Sequence, residues 1–306
     1  MIEYFFEAGN QIIIMLLLIL TGFLAYRFKL ISEKGVKDIS ALLLKVVTPI
    51  ILMSSFQREF DKELFGGWIK MILISALTYA VSIVIALTVY RKNDPPEDKL
   101  CVILPNNGFL AFPLMQSLAG KNGIFFGATN VILLTIIQWT FGLKLLKPTE
   151  KISVKRMLLN PGVIGVTLGL LLFFSPVKLP SYVFGAVEAI ANLNTPLAMI
   201  VLGGLLAQTD LKEAVREKSF YKLSAVKLLL VPAVMMPIIK FIPMANEMKV
   251  VALICSVTPS ATAVGMMAQL FDGNYKRSAA AIVITTLISA LTMPVILALG
   301  KVVLGY

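Results

Sequence analysis

The sequence predicts an all-α polytopic membrane protein. The expected fold is ten transmembrane helices in two inverted five-helix repeats, with discontinuous crossing helices 4 and 9. Three observations carry this. The 306 residues are 58% apolar and only 15% charged, with a mean hydropathy of +0.87. A soluble domain is usually about 45–50% apolar and 25% charged. Apolar runs of bilayer length recur along the whole chain, and the two halves share landmarks in the same order.

A helix crosses a bilayer with about 20 apolar residues. Uncharged runs near that length occupy 8–26, 71–90, 100–120, 122–143, 157–177, 189–209, 250–271 and 278–300. Two more spans carry lysines: 38–57 holds Lys45, and 219–242 holds Lys222, Lys227 and Lys240. Charged segments such as RKNDPPEDK and KPTEKISVKR punctuate them. The runs are too long for strands, and the alternation of a membrane barrel is absent. The flank of span 1, MIEYFFEAGN, has two glutamates and no Lys or Arg, so a retained helix is expected rather than a cleaved signal.

The connections after spans 1, 3, 5, 7 and 9 hold 18 lysines and arginines, against 8 on the other side. The positive-inside rule then places both termini outside. It also accounts for the net charge of +11 without nucleic acid. Lys45 and Lys227 are expected to snorkel to the headgroups, with attraction of an anion as the sharper alternative. Trp139 and the span-end tyrosines read as interfacial anchors.

The repeat is read from three landmarks. Thr48-Pro49 in span 2 matches Thr195-Pro196 in span 7, and at that offset Gly22 falls on Gly169. Cys101-Val-Ile-Leu-Pro105 in span 4 matches Cys255-Ser-Val-Thr-Pro259 in span 9. A unit of five helices is odd, so the second copy enters from the opposite side. That is the inverted topology secondary transporters use. The expected units are residues 1–146, a connecting loop at 147–156, and residues 157–306.

Spans 4 and 9 carry the expected chemistry. Span 4 places Pro105, Asn106, Asn107, Gly108 and Pro113 mid-span. Span 9 places Thr258, Pro259, Ser260, Thr262 and Gly265 at the matching depth. Proline removes a donor and clashes with the preceding turn, and Gly and Asn tolerate non-helical backbone. Both helices should unwind, which survives at membrane depth only beside protein or a water-filled cavity. A broken helix offers free N–H groups and about half a positive charge at its second start. Neither break holds an acid, so an anion suits the site better than a lone cation. Asn106 and Asn107 read either as ligand-orienting groups or as bonds between neighbouring helices. Thr48, Asn194 and Thr195 read either as the facing wall or as kinks. Gly165 and Gly169 form a GxxxG packing signal.

No catalytic machinery is expected. The chain lacks histidine, and Cys101 and Cys255 form no CxxC pair. A Ser-His-Asp triad, a His-ligated metal and a cofactor motif are thereby set aside, and the reading is no enzyme, no metal and no cofactor.

The string Asn106-Asn107-Gly108-Phe109-Leu110-Ala111-Phe112-Pro113-Leu114 resembles the N-x-G-F-x-G-x-P-L motif of the auxin efflux carrier family, bacterial branch. Pro259-Ser260-Ala261-Thr262 and the closing SAAAIVITTLISALTMPVILAL are similar to that family's ninth and last helices. Ala111 departs from the pattern, where glycine is usual. The long central loop of plant members is missing.

The resemblance implies an inverted repeat whose helices 4 and 9 cross at their prolines. It also implies a scaffold of spans 1, 2, 6 and 7, a transport unit of spans 3–5 and 8–10, and a homodimer formed through the scaffold. Plant members export the auxin carboxylate, and bacterial members are associated with malate, malonate or similar acids.

The expected activity is therefore secondary transport of small organic anions across the cell membrane, by an elevator-type alternating-access motion. The membrane potential suffices as a driver, at about 2.3 kcal/mol per charge per 100 mV. Coupling to a proton or sodium stays open. The alternative is a sodium-coupled symporter of the bile acid type, with Gln116, Gln269 and Asn106 as oxygen ligands. A receptor would be expected to carry a further soluble domain, and no connecting loop is long enough to hold one.

Overall fold

The computed structural model describes residues 2–175 and 177–306, with side chains from residue 9 onward. Glu3 and Glu7 of the leading flank lie outside the described side chains. Among the described residues the chain is helical, and its β-geometry is confined to one isolated bridge.

α1 spans Ile2–Arg27. α2 (Glu33–Leu42) starts where the Ser32 hydroxyl accepts from the Gly35 N–H, and runs through a π turn at Leu43–Val47 into α3 (Thr48–Ser55). α4 (Lys62–Val89) is capped by Asp61. α5 (Pro96–Ile103) stops at a break, and a π turn at Asn107–Ala111 leads into α6 (Phe112–Ile137). A third π turn at Gln138–Gly142 joins α6 to α7 (Leu143–Leu146). α8 (Val154–Leu158), α9 (Pro161–Phe174), α10 (Ser181–Asn192), α11 (Asn194–Gln208) and α12 (Leu211–Arg216) follow. α13 (Lys218–Ala225) continues through a π turn at Val226–Leu230 into α14 (Val231–Phe241). α15 (Asn246–Val257), a second break, α16 (Thr262–Leu270) and α17 (Tyr275–Leu304) complete the chain.

Three of the four π turns have one cause. Each is followed directly by a residue and then a proline: Thr48-Pro49, Phe112-Pro113 and Val231-Pro232. A proline ring collides with the carbonyl four residues earlier, and widening that turn by one residue removes the clash without ending the helix. The Thr48-Pro49 kink of the sequence is this feature. Its partner Thr195-Pro196 opens α11 instead, with Leu193 separating it from α10.

Among the described residues, six stretches are long and apolar enough to cross a membrane: Gly9–Arg27, Lys62–Val89, Asn107–Leu146, Ser181–Gln208, Lys218–Phe241 and Tyr275–Leu304. α9 is apolar but has only 14 residues. The expected spans 2, 4 and 9 are helical yet fail as single apolar rods, because charges fill α2 and backbone breaks divide the other two. The expected boundary between spans 4 and 5 falls at Gly120, whose φ of 58° and ψ of −146° interrupt α6. The chain doubles back there, because Gly123 lies against the Met115 carbonyl.

Small residues set the closest helix contacts, where the absence of a side chain lets backbones touch. Gly22 of α1 faces the Ile200 backbone of α11, and Gly203 of α11 faces Ile19 and Phe23 of α1. Gly165 of α9 faces Pro49, and Gly169 faces the ring of Phe56, which caps the C-terminus of α3. The GxxxG of α9 is thus spent inside the chain.

Candidate functional site

The two breaks cross each other. Leu104–Asn106 runs antiparallel to Pro259–Ala261, with a bridge between Pro105 and Ser260. The Asn106 N–H donates to the Pro259 carbonyl at 2.8 Å, and the Ala261 N–H donates to the Leu104 carbonyl at 2.9 Å. Each unwound strand thereby satisfies part of the other's backbone, which buried chain requires. The Ser260 hydroxyl donates to the Cys101 carbonyl at 2.8 Å, and the Ser260 N–H donates to the Thr285 hydroxyl of α17 at 3.3 Å.

These bonds narrow the expected anion cradle. The N–H groups of Asn106, Asn107 and Ser260 are engaged, Asn107 with the Pro105 carbonyl at 2.9 Å. What remains at the crossing is the start of the second half-helices. The π turn at Asn107–Ala111 is capped by Asn106, whose side-chain Oδ1 accepts from the Phe109 N–H at 3.4 Å. α16 has no side-chain cap, and its Val264 N–H turns back to the Ala261 carbonyl at 3.0 Å, so the N–H groups of Thr262 and Ala263 are the ones left without an intrahelical acceptor.

Asn107 is wholly buried and serves the neighbours rather than the opening. Its amide nitrogen donates to the Asn130 side-chain oxygen of α6, and its own oxygen accepts from the Thr258 hydroxyl at 3.2 Å. Asn130 also accepts from the Tyr79 hydroxyl of α4 at 2.7 Å and donates to Ser75 at 3.4 Å. The Ser75 and Thr129 hydroxyls share a bond at 3.2 Å. This network ties α4, α6, the first break and the second break together. Asn130 and Tyr79 were legible only as lone polar groups in apolar runs.

Asn106, Asn194 and Thr48 behave differently. All three are buried, yet the Asn106 Nδ2, both side-chain polar atoms of Asn194 and the Thr48 hydroxyl have no bonding partner in the protein. A buried polar group left unpaired costs about 1–3 kcal/mol. Native proteins keep few of them, and each calls for a partner such as a water, an ion or a ligand; Gln57, Trp68, Tyr90 and Thr292 also carry one. Asn194 begins α11, which packs against the π turn that follows Asn106. Thr195 is half-buried, as are Gly108 and Thr262; Pro105, Pro113, Thr258, Pro259 and Ser260 are buried. Gln116 and Gln269 are exposed. An apolar cleft opens beside the crossing, lined by Ile12, Met15 and Ile19 of α1, Leu110 and Leu114 of the first break's helix, and Thr286 and Ser289 of α17.

Two sequence expectations are overturned, those for Lys227 and Tyr90. Lys227 does not snorkel: it is 1% exposed and donates to the Val102 carbonyl, near the end of α5, at 2.9 Å. Lys45 is exposed, as expected. The charged segment RKNDPPEDK ends inside the protein, with Glu97, Asp98 and Lys99 buried at the start of α5. Asp98 receives a two-point bond from Arg277 of α17, at 2.8 and 2.7 Å, and Arg277 also donates to the Ser219 hydroxyl. Glu97 accepts from the Asn274 N–H at 2.6 Å. Tyr90, at a span end, is not an interfacial anchor; it is buried under the Lys222 ammonium, 4.7 Å from its ring centre. Trp139 is half-buried between Phe271 and Arg156.

Comparison with known proteins agrees with this architecture. A family model described as membrane transport protein matches residues 8–297. An uncharacterized transporter of Methanocaldococcus jannaschii is 24% identical over 299 residues, covering 93% of this chain and 96% of the relative.

Proposed function

The chain belongs to the membrane transport protein family, the group of the auxin efflux carriers, and from that premise we propose that it is a secondary transporter of small organic anions. Membership makes it a multi-pass membrane transporter and not an enzyme. The proposed substrates are carboxylates such as malate, malonate or auxin-like acids.

One observation carries the proposal. Where two broken helices cross, Asn106 keeps a buried amide donor with no protein partner, and the start of α16 has no side-chain cap. Donors without acceptors suit a ligand with acceptors and negative charge, and a helix start adds about half a positive charge. Asn194 and Thr48 add further unpartnered polar atoms.

The proposed mechanism is an elevator. Residues 1–146 and 157–306 act as two inverted five-helix copies joined by 147–156, giving ten crossings. α1, α2–α3, α9 and α10–α11 form the scaffold, and the remaining spans move with the site. The reciprocal contacts support this reading. At the shared offset, Gly22 against α11 corresponds to Gly169 against α3. The apolar cleft between α1 and α17 lies along the proposed sliding boundary. The Lys/Arg bias favours a cell-membrane protein with both termini outside. A homodimer through the scaffold follows from the family resemblance. The sodium-coupled alternative is not favoured, because Gln116 and Gln269, two of its expected oxygen ligands, are exposed rather than enclosed.

Counterflow in proteoliposomes tests the function. Vesicles loaded with unlabelled malate, malonate or indole-3-acetate should accumulate the labelled acid transiently. Asn106→Ala should cut that rate at least ~10-fold, the effect of about 1.4 kcal/mol lost from one charge-assisted hydrogen bond. Wild-type rates in the variant would remove Asn106 from the site.

A further inference from the structure

Lys227 is the buried charge that the proposed mechanism leaves unused. It sits in the π turn at Val226–Leu230, 1% exposed, and its ammonium donates to the Val102 carbonyl at 2.9 Å. Val102 is one residue before the end of α5, and the preceding carbonyl, of Cys101, accepts from Ser260 of the other break. The ammonium therefore lies within about a turn of the crossing. Carbonyls at a helix end carry partial negative charge, so they hold a cation well but cannot neutralise it.

The surroundings do not neutralise it either. The helices packed against this π turn are α5, α13, α14, α15 and α17. From α5 and α15 the ionisable groups facing it are the Cys101 and Cys255 thiols. Asp98 of α5 is bound to Arg277 of α17, and Glu97 to the backbone of Asn274. Lys222 of α13 lies over Tyr90, and Lys240 of α14 is exposed. Among the described residues, no carboxylate is paired with Lys227. A lone cation inside a membrane protein marks a place where charge is handled in the working cycle.

We propose that Lys227 is the counter-charge that travels with the substrate anion. This rests on the anion-transport reading above. Asp98 is matched by the half-buried Arg277 and Glu97 by the charge of Lys99, so Lys227 is the charge left over in this interior cluster of the moving unit. With a monoanion bound, that interior is neutral; empty, it carries one positive charge. The membrane potential then acts on the return of the empty unit and not on the loaded crossing. An inside-negative potential pulls the empty, positive unit inward, which favours export of the anion. Lys227 is a positioning charge, acting on the substrate through the low dielectric rather than by touching it.

Exchange isolates the loaded crossing, because the empty unit never returns. The test measures exchange of labelled indole-3-acetate, a monoanion, and of malonate, a dianion, in proteoliposomes held at 0 and −100 mV. Wild-type exchange should respond to voltage with one charge fewer than the substrate carries: none for indole-3-acetate and one for malonate. Lys227→Met should add one charge to each, up to ~50-fold in rate between the two voltages. Lys227→Arg should restore the wild-type response. A merely structural lysine would change rate or yield without changing the voltage response. Wild-type exchange that senses the full substrate charge overturns the proposal even if Lys227→Met does not fold. Exchange of neither acid overturns the anion reading itself, and the proposal with it.

Discussion

At the scale of single residues, adjacent asparagines in one break do opposite work. Asn107 has every side-chain atom committed, to Asn130 and Thr258. Asn106 has a buried donor committed to nothing. The sequence marks both alike, since each is a mid-span amide within two residues of Pro105. It does not say which points at neighbours and which at the opening, because that depends on φ and ψ in the break. The difference is measurable. Asn107→Ala should lower folding stability by about 1–3 kcal/mol, because Thr258 and Asn130 lose a partner in a dry interior. Asn106→Ala should cost less, and its main effect should be on transport. Thermal unfolding of the purified variants in detergent separates them; equal loss for both would contradict the assignment.

At the scale of elements, the breaks were legible and the buried charges were not. Proline, glycine and asparagine at matched depth identify unwound helices through local backbone physics. The burial of Lys227, Glu97 and Asp98 is missed for a different reason. Their burial depends on partners far away in the chain: Lys227 on Val102 across 125 residues, and Asp98 on Arg277 across 179. A hydropathy window sees only neighbours in sequence, so it assigns such charges to headgroups or loops. Helix contacts follow the same division. Gly203 reads as an ordinary small residue, yet α1 and α11 touch there backbone to backbone. Gly203→Ala would put a methyl group into the Ile19 carbonyl and near the Phe23 nitrogen. Overpacking of this kind costs about 1–3 kcal/mol, and here the helices themselves must separate. Gly185→Ala, in α10 with nothing within 4 Å of the added carbon, should instead stabilise by about 0.5–1 kcal/mol. Thermal midpoints moving in the same direction for both would contradict the packing argument.

At the scale of the molecule, the arrangement rests on two chains that cross where each has lost its helix. The crossing holds itself together with two backbone bonds and a buried polar network. It still leaves unpaired donors at its edge, on the side of α11. Stability and binding are thus divided between neighbouring residues of the same segment. An aromatic cluster at one end, including Phe56, Trp68, Phe125 and Phe173, joins α3 and α9 to α4 and α6. Arg58 lies over Phe125 and donates to Asn122 and the Lys121 carbonyl there. The two proposed groups are therefore joined at that end by packed aromatic rings. The most direct check is to locate a bound carboxylate. A bromine-labelled carboxylic acid, soaked into crystals and found by anomalous diffraction, should lie with its carboxylate within hydrogen-bonding distance of Asn106 Nδ2, at the start of α16. A bromine signal elsewhere in the fold, with the crossing unoccupied at saturating acid, would contradict the account.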